Sequence, residues 1–360
     1  MKTLCTVPST IAFTNNRGGF RNCCTASPQL HSEHETFSQW WTSNTMHNFR
    51  QQLTQSELPE PCQGCALQEK TLGSSFRTSV NQTITNAEWP SAWNVIFGNI
   101  CNLGCWTCNE NNSSVIEQHK RQIKILPQQF VSPNKKFELI WPDLQASIMK
   151  SYQYHNTVTL TLLGGEPLYN PQLIEFLNYL IDQGLAPRTK LEFHTNATTS
   201  ESLPAGNWQY VCAFLSIDAV GTKAEWLRYG TKWSKVERNV VLSKQQANYV
   251  EVHCTLSVLN INDLPALKQF CDLHDLPLKI HAMQSPAFMS IKSWDGDKQL
   301  LCNFEQLEKL GFGHYYTVLG SEPVSGHSQQ LKQYIQQFDS IRKPLHNFDP
   351  ELASVLLDDQ

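Results

Sequence analysis

No apolar run in the 360 residues is long enough to cross a membrane, which excludes a spanning helix. The first ten residues carry one Lys and no apolar stretch of signal-peptide length, so a cytoplasmic protein is the expectation. Charge of one sign is also lacking. The formal net charge is −4, which argues against a general nucleic-acid binder, since that role needs a basic surface. There is no internal repeat and no low-complexity tract. Aliphatic residues are scarce before about residue 85, where Ser, Thr, Asn and Gln dominate and periodicity is weak. A segment of that composition is expected to fold poorly on apolar burial alone and to gain from a bound metal.

What the chain has in excess is cysteine. There are twelve, and in a reducing compartment such a set points to metal or redox chemistry instead of disulfides. Eight fall in the first 108 residues, in tight groups: Cys5, Cys23 and Cys24, Cys62 and Cys65, then Cys101, Cys105 and Cys108. The other four, Cys212, Cys254, Cys271 and Cys302, are scattered singly, as core thiols are.

From about Glu88 short β-branched runs alternate with amphipathic stretches. Strands are predicted at 93–97, 158–163, 190–194, 212–217, 250–258 and 278–282. Helices are predicted at 113–122, 142–151, 171–183, 234–247 and 264–274, with others at 36–52 and 328–341. Strands alternating with helices predict an α/β fold of parallel βα units, and six of them a partial (β/α)6 barrel of TIM type. The expected organisation is a cysteine-rich domain over 1–87, the partial barrel over 88–290 and a mostly helical extension over 291–360. In such folds the chemistry sits at the carboxyl ends of the strands.

The first barrel strand leads into Cys101-Asn-Leu-Gly-Cys105-Trp-Thr-Cys108, a CxxxCxxC spacing. Three thiolates on one short loop can bind three irons of a cubane and leave the fourth iron open. A structural zinc would want a fourth protein ligand, and spacing alone leaves zinc standing as the alternative. Leu163-Gly164-Gly165-Glu166-Pro167 ends the second strand, about 60 residues after the triad. Its two glycines permit a close backbone approach to a ligand, and Glu166 presents a carboxylate there. Thr195 and Asn196 end the third strand, Ser216 and Asp218 the fourth, and Asn260 lies past the fifth; Arg228 follows the fourth. Each has a bland reading as a solvated turn or surface group.

Together these motifs resemble the radical S-adenosylmethionine (SAM) superfamily. The resemblance implies a [4Fe–4S] cluster on Cys101, Cys105 and Cys108, with SAM chelating the open iron. It implies that electron transfer then cleaves SAM to a 5′-deoxyadenosyl radical, which takes hydrogen from substrate. Gly164, Gly165 and Glu166 resemble the family's GGEP motif, which binds the amino group of SAM. Thr195, Asn196, Ser216, Asp218, Arg228 and Asn260 match strand-end positions that meet its carboxylate, ribose or adenine, and Asp218 equally suits a substrate site. The family's aromatic residue just before the third cysteine is replaced here by Thr107, with Trp106 one place earlier.

The N-terminal thiols resemble the auxiliary-cluster domains called SPASM and twitch, here placed before the barrel. The stretch from Cys62 and Cys65 through Glu69 and Arg77 to Asn81 shares that likeness. Four of Cys5, Cys23, Cys24, Cys62 and Cys65 would close a second Fe–S cluster, with Cys23 and Cys24 as alternatives for one place and zinc as the alternative metal. His31, His34 and Glu35 lie nearby as further ligand candidates. The resemblance implies a peptide or protein substrate and an electron donor of flavodoxin or ferredoxin type. A small-molecule substrate, and a non-catalytic zinc- or cluster-binding scaffold, are the competing readings.

Overall fold

The computed structural model describes residues 4–32, 36–55, 57–81, 88–199, 203–296, 301–312 and 323–357. Two compact units share the chain. One comprises Met1–Ile100, Val131–Phe193 and Pro204–Val211, the other Cys101–Phe130, His194–Leu203 and Cys212–Gln360. The fold is mixed α/β, and its strands are mostly parallel.

In the first unit the strands β1 (Ile11–Thr14), β2 (Phe20–Arg21), β3 (His31–Ser32), β4 (Ala92–Ile96), β5 (Val158–Leu163) and β6 (Thr189–Thr195, of which the last two residues belong to the second unit) run in the order β3-β2-β1-β4-β5-β6. The β4–β5 and β5–β6 pairs are parallel, with Trp93 opposite Leu160 and Leu160 opposite Leu191. Along β5 Val158, Leu160 and Leu162 are buried while Thr159, Thr161 and Leu163 are half-buried, the period of two that the sequence pattern carries. The cysteine-rich N-terminal block adds to this sheet, because β1 pairs parallel with β4 and antiparallel with β2.

Aromatic residues supply the core that aliphatic scarcity seemed to deny the N-terminal block. Among its helices are α1 (Val7–Thr10), α2 (Phe37–Thr42) and α3 (Asn44–Gln52). Ser43, extended between α2 and α3, splits the single helix predicted at 36–52 and caps α3 by accepting from Met46 N. Phe37 is 1% exposed and touches four rings: Phe20 at 5.2 Å, Trp41 at 5.6 Å, Trp89 at 5.5 Å and Trp93 at 4.5 Å. Arg50 lies 4.1 Å over Trp41 and donates to its carbonyl at 2.6 Å, tying α3 to α2.

Two more helices complete this block, α4 (Gln63–Leu72) and α5 (Phe76–Asn81). Farther along, the helix predicted at 142–151 is much longer. It spans Pro133–Tyr154 (α7, after α6 at Ser114–Gln122), with Pro142 inside it. Proline lacks the N–H that a helix interior uses, so it reads as a start. Here burial of Phe137, Trp141, Leu144 and Ile148 along one stripe outweighs that local cost. The next helix, α8 (Pro171–Asp182), begins as its sequence foretells, with Asn170 accepting from Leu173 N and Pro at the first turn.

The second unit holds β7 (Tyr210–Ser216, chiefly), β8 (Tyr249–Leu256) and β9 (Leu278–Ala282), parallel in that order, with α9 (Gly221–Leu227), α10 (Trp233–Gln246) and α11 (Leu264–Leu273) between them. All six predicted barrel strands are therefore present, with ends shifted by no more than two residues. The C-terminal segment forms helices at Phe304–Lys309, His327–Asp339 and Pro350–Leu357. Asp349 anchors its end through a 2.5 Å ion pair with the buried Lys223 of α9. Among the described residues no helix is long and apolar enough to cross a membrane.

Replacing Phe37 with Ala removes the ring on which four others pack. We expect a loss of about 3–5 kcal/mol, read as a lower midpoint in denaturant unfolding. An unchanged midpoint would show that the N-terminal block is held in place by something else.

Candidate metal and cofactor site

The CxxxCxxC loop lies in the second unit and is pinned at several backbone points. Cys101 N donates to Ser114 Oγ, and that hydroxyl donates to Cys101 O, both at 3.1 Å. Ser113 caps α6 by accepting from Ile116 N and donates to Leu103 O at 2.7 Å. The segment after α9 takes the other side: Gly104 N donates to Tyr229 O at 2.8 Å and Trp106 N to Leu227 O at 2.9 Å. Trp106 is fully buried and stacks on Trp226 at 5.1 Å. Its ring is thus a core anchor for the loop. Gly104 is closely packed: a Cβ there would sit 3.1 Å from Val115 Cγ1 and 3.2 Å from Arg342 Nη2.

Charge is the second feature of this loop. Burial pushes the Cys105 thiol up, while the neighbouring Arg228 works in the opposite direction. Burial also pushes Cys108 up, and the adjacent Cys105 and Cys101 add to it. The Cys105 and Cys108 thiols thus hold their protons, which a metal must displace on binding. Burial opposes the charge on Arg228, but Cys105 and Asp218 overcome it and hold the guanidinium firmly protonated.

The strand-end groups of this unit divide into two kinds. Asp218 accepts from Arg228 Nη1 at 2.7 Å and from Thr255 N at 2.8 Å. Asn260 donates to Asp218 O at 2.9 Å and Thr255 O at 3.1 Å, and accepts from Ser257 N and Oγ. That fills the two donors and two acceptors an amide has, leaving no hydrogen bond for a ligand. Asn260 thereby clamps β7 to β8. Asn196 donates to Asn102 Oδ1 at 2.8 Å and approaches Cys101 Sγ at 4.0 Å, so it braces the metal loop directly. Thr195 Oγ1 accepts from Ala197 N at 3.2 Å and serves the turn after β6. Ser216, half-buried at the end of β7, pairs in register with His253.

Glu166 belongs to the first unit. It is 1% exposed, and its backbone N–H donates to Ile100 O at 2.7 Å, immediately before Cys101 in the chain. The two glycines before it are tightly packed against backbone. A Cβ on Gly165 would lie 2.1 Å from Ile100 O, and Gly164 sits at φ +134° with Gly98 O 3.0 Å from where its Cβ would be. The chain's own 98–100 backbone makes a close approach to both glycines.

Also in the first unit, Cys5, Cys23, Cys62 and Cys65 line one pocket together with Phe49, Phe76 and Arg77. Thr25 Oγ1 bridges two of the sulfurs, 3.4 Å from Cys23 and 3.6 Å from Cys65. Cys24 is not on the lining; its thiol hydrogen-bonds to Cys23, and that bond with those from Thr25 pulls the Cys23 thiol down. Burial pushes Cys5 up to about 12 and Cys62 up to about 11. Arg77 reaches Leu4 O at 2.6 Å and is ion-paired with Glu69, which explains why those residues accompany the thiols in the sequence. His31 is exposed in β3 and off the lining, and His34 and Glu35 lie outside the described residues. Although four thiols share this pocket, among the described residues no three His, Cys, Asp or Glu side chains converge enough to hold one metal ion. The difference is geometric. Sulfurs on one tetrahedral zinc stand about 3.8 Å apart, whereas cubane ligands bind separate irons and stand wider.

Sequence reasoning missed the hydroxyl clamps of Ser113 and Ser114, although Ser-Ser before an amphipathic run is a readable helix start. It also missed His119, in the helix that follows the loop, and Arg342, which reaches the loop from near the end of the chain. The Asp218–Arg228 pair is testable on its own. Asp218→Ala leaves Arg228 buried without its carboxylate, and we expect a loss of about 3–5 kcal/mol in unfolding free energy. A loss below about 1 kcal/mol, the size of an exposed pair, would show that the pair is not closed off from water.

No family model matches the sequence, and no curated protein matches it. The chain is similar to the solved structure of anSMEcpe with bound AdoMet, at 14% identity and TM-score 0.40, covering 68% of this chain and 66% of that one. It is also similar to anSMEcpe with AdoMet and the Cp18Cys peptide, at 14% identity and TM-score 0.35, covering 74% and 65%. TYW1 with a lysine-pyruvate adduct bound follows, at 15% identity and TM-score 0.31, covering 58% and 67%. The chain thus spans just under two thirds of the length of anSMEcpe.

Proposed function

We propose that this chain is a radical SAM enzyme that carries a [4Fe–4S] cluster on Cys101, Cys105 and Cys108. One observation carries the reading. Three thiols sit on a short loop whose backbone is fixed from both sides, with the buried Arg228 guanidinium close enough to act on Cys105. That donor set fits a cluster: three sulfur ligands on one loop, beside a cation that offsets thiolate charge. When bound, the cluster supplies the electron that splits the sulfonium of SAM, and the 5′-deoxyadenosyl radical so released takes hydrogen from substrate.

The protein's part is to hold and orient. Cys101, Cys105 and Cys108 bind three irons and leave the fourth for SAM. Glu166, by the motif it shares with the family, binds the ammonium of SAM through a carboxylate kept from water. Arg228 would meet the methionyl carboxylate or ribose, with Asp218 fixing its guanidinium, and Ser216 at the end of β7 is a further candidate. Burial around the loop excludes water from a reactive radical.

Cys5, Cys23, Cys62 and Cys65 hold a second Fe–S cluster in this reading, supported by their common pocket. The likeness of the cysteine-rich block to SPASM and twitch sequences favours a peptide or protein substrate, and the chemistry requires a one-electron donor such as a flavodoxin or ferredoxin.

Oxygen-free purification tests this. The expected result is about eight irons with matching sulfide, and 5′-deoxyadenosine formed on adding SAM with a strong reductant. Zinc in place of iron, with no SAM cleavage, would overturn the reading. Cys105→Ala is expected to abolish cleavage and leave about four irons at the N-terminal centre. The double variant Cys62→Ala, Cys65→Ala is expected to lose those four and still cleave SAM. Cleavage that persists in Cys105→Ala would show the ligand assignment to be wrong.

A further inference from the structure

Arg342 is the least explained charge in the second unit. It follows the helix His327–Asp339, in the C-terminal segment, and is 4% exposed. Its guanidinium is packed between rings, 4.5 Å from the centroid of Trp106, 4.3 Å from Phe338 and 5.2 Å from Tyr229. Nη2 donates to His119 Nδ1 at 3.1 Å. Burial and the neighbouring Arg342 keep that imidazole neutral, down to about 4, so it accepts the bond without cancelling the charge. Nε and Nη1 have no hydrogen-bond partner, and among the described residues no carboxylate pairs with Arg342.

A buried cation of this kind costs several kcal/mol unless an anion offsets it. Stacking on aromatic faces returns only about 2 kcal/mol when water is excluded. The missing anion is therefore to be sought nearby. Arg342 Nη2 stands 3.2 Å from the place where a Gly104 Cβ would be, and Trp106 beneath it lies between Cys105 and Cys108 in the loop. Burial works against its charge, and Tyr334, Cys105, Tyr229 and Cys108 work for it.

We infer that Arg342 is the counter-charge of the metal loop: a positioning residue, delivered by the C-terminal segment, that stabilises negative charge on Cys105 and Cys108 and on the cluster they hold. The inference rests on the function proposed above. It assigns the C-terminal segment a task at the site. It also accounts for Trp106 standing one place before the family's aromatic position, since the indole here is a platform for the guanidinium. With Arg228, which acts on Cys105 and Cys101 from the end of α9, two cations serve the loop, and each lowers the cost of adding an electron.

The experiment is a redox titration followed by electron paramagnetic resonance, on the Cys62→Ala, Cys65→Ala background so that one cluster remains. Arg342→Met keeps apolar bulk among the rings and removes the charge; Arg342→Lys keeps the charge and loses the stacked plane. Circular dichroism and the iron count establish that each variant folds and loads. A midpoint potential moved to more negative values in Arg342→Met, and largely restored in Arg342→Lys, is the expected result. Failure of Arg342→Met alone to take up iron supports the same conclusion. An Arg342→Met potential equal to the parent's, or equal shifts or equal loss of iron in both variants, would overturn it, because packing would then explain everything. A parent protein that assembles no cluster sinks the proposed function first, and this inference with it.

Discussion

Three sulfurs on one eight-residue loop repel one another as soon as they lose their protons, and everything around Cys101, Cys105 and Cys108 can be understood as an answer to that repulsion. Burial raises the cost further by taking away water, as the upward push on Cys105 and Cys108 shows. The loop meets the cost in two ways. Backbone bonds to Ser114, Tyr229 and Leu227 fix its path so that the thiols cannot simply move apart. Cationic side chains then come in from sequence positions far from the loop. Arg228 carries its own carboxylate, Asp218, which orients it, and that carboxylate in turn pins Thr255 at the end of β8. The metal loop and the strand ends of the second unit are thus one electrostatic structure.

The first unit solves a related problem with different materials. Its N-terminal block is short of aliphatic side chains, and from that shortage a weak apolar core was expected. Rings make up the deficit: each buries a large area and packs edge to face, as Phe37 does against Phe20 and Trp89. Four thiols are then gathered beside Phe49 and Phe76, with Arg77 held in place by Glu69. A metal centre there would add to a core that already exists, which is why its loss and the loss of the fold are separable events.

Much of this was legible in the sequence, for reasons tied to particular residues. The period of two in Val158–Leu163 and the Asn170-Pro171 start of α8 are local signals, and both appear where expected. Pro142 misled because its missing N–H is a local cost, whereas the apolar stripe from Phe137 to Ile148 that outweighs it is a tertiary gain. The glycines before Glu166 pointed to a close approach, and the 98–100 backbone makes one. The choice between Cys23 and Cys24 could not be read from spacing, since either fits the distance from a glycine; of the two, only Cys23 lines the pocket. Arg342 had no signal at all: a lone basic residue near the end of a chain acquires meaning only from the rings that enclose it.

The strand-end polar groups carry a further consequence. Their clustering at carboxyl ends argued for a ligand site, yet several are spent on holding the strands to each other. Asn260 is fully committed, and Asp218 uses both oxygens on Arg228 and Thr255. Polar residues at such positions satisfy buried backbone groups that the end of a ladder leaves open, a need that exists with or without a cofactor. What distinguishes a ligand-facing group is a valence left over. By that criterion Ser216, half-buried at the end of β7, and the guanidinium nitrogens of Arg228 beyond the one Asp218 takes are the better candidates in this unit. Recognition of a small ligand would then rest on few side chains, each held rigid by neighbours that never touch it, and this is the arrangement in which loss of a supporting residue such as Asn260 impairs binding without removing a contact.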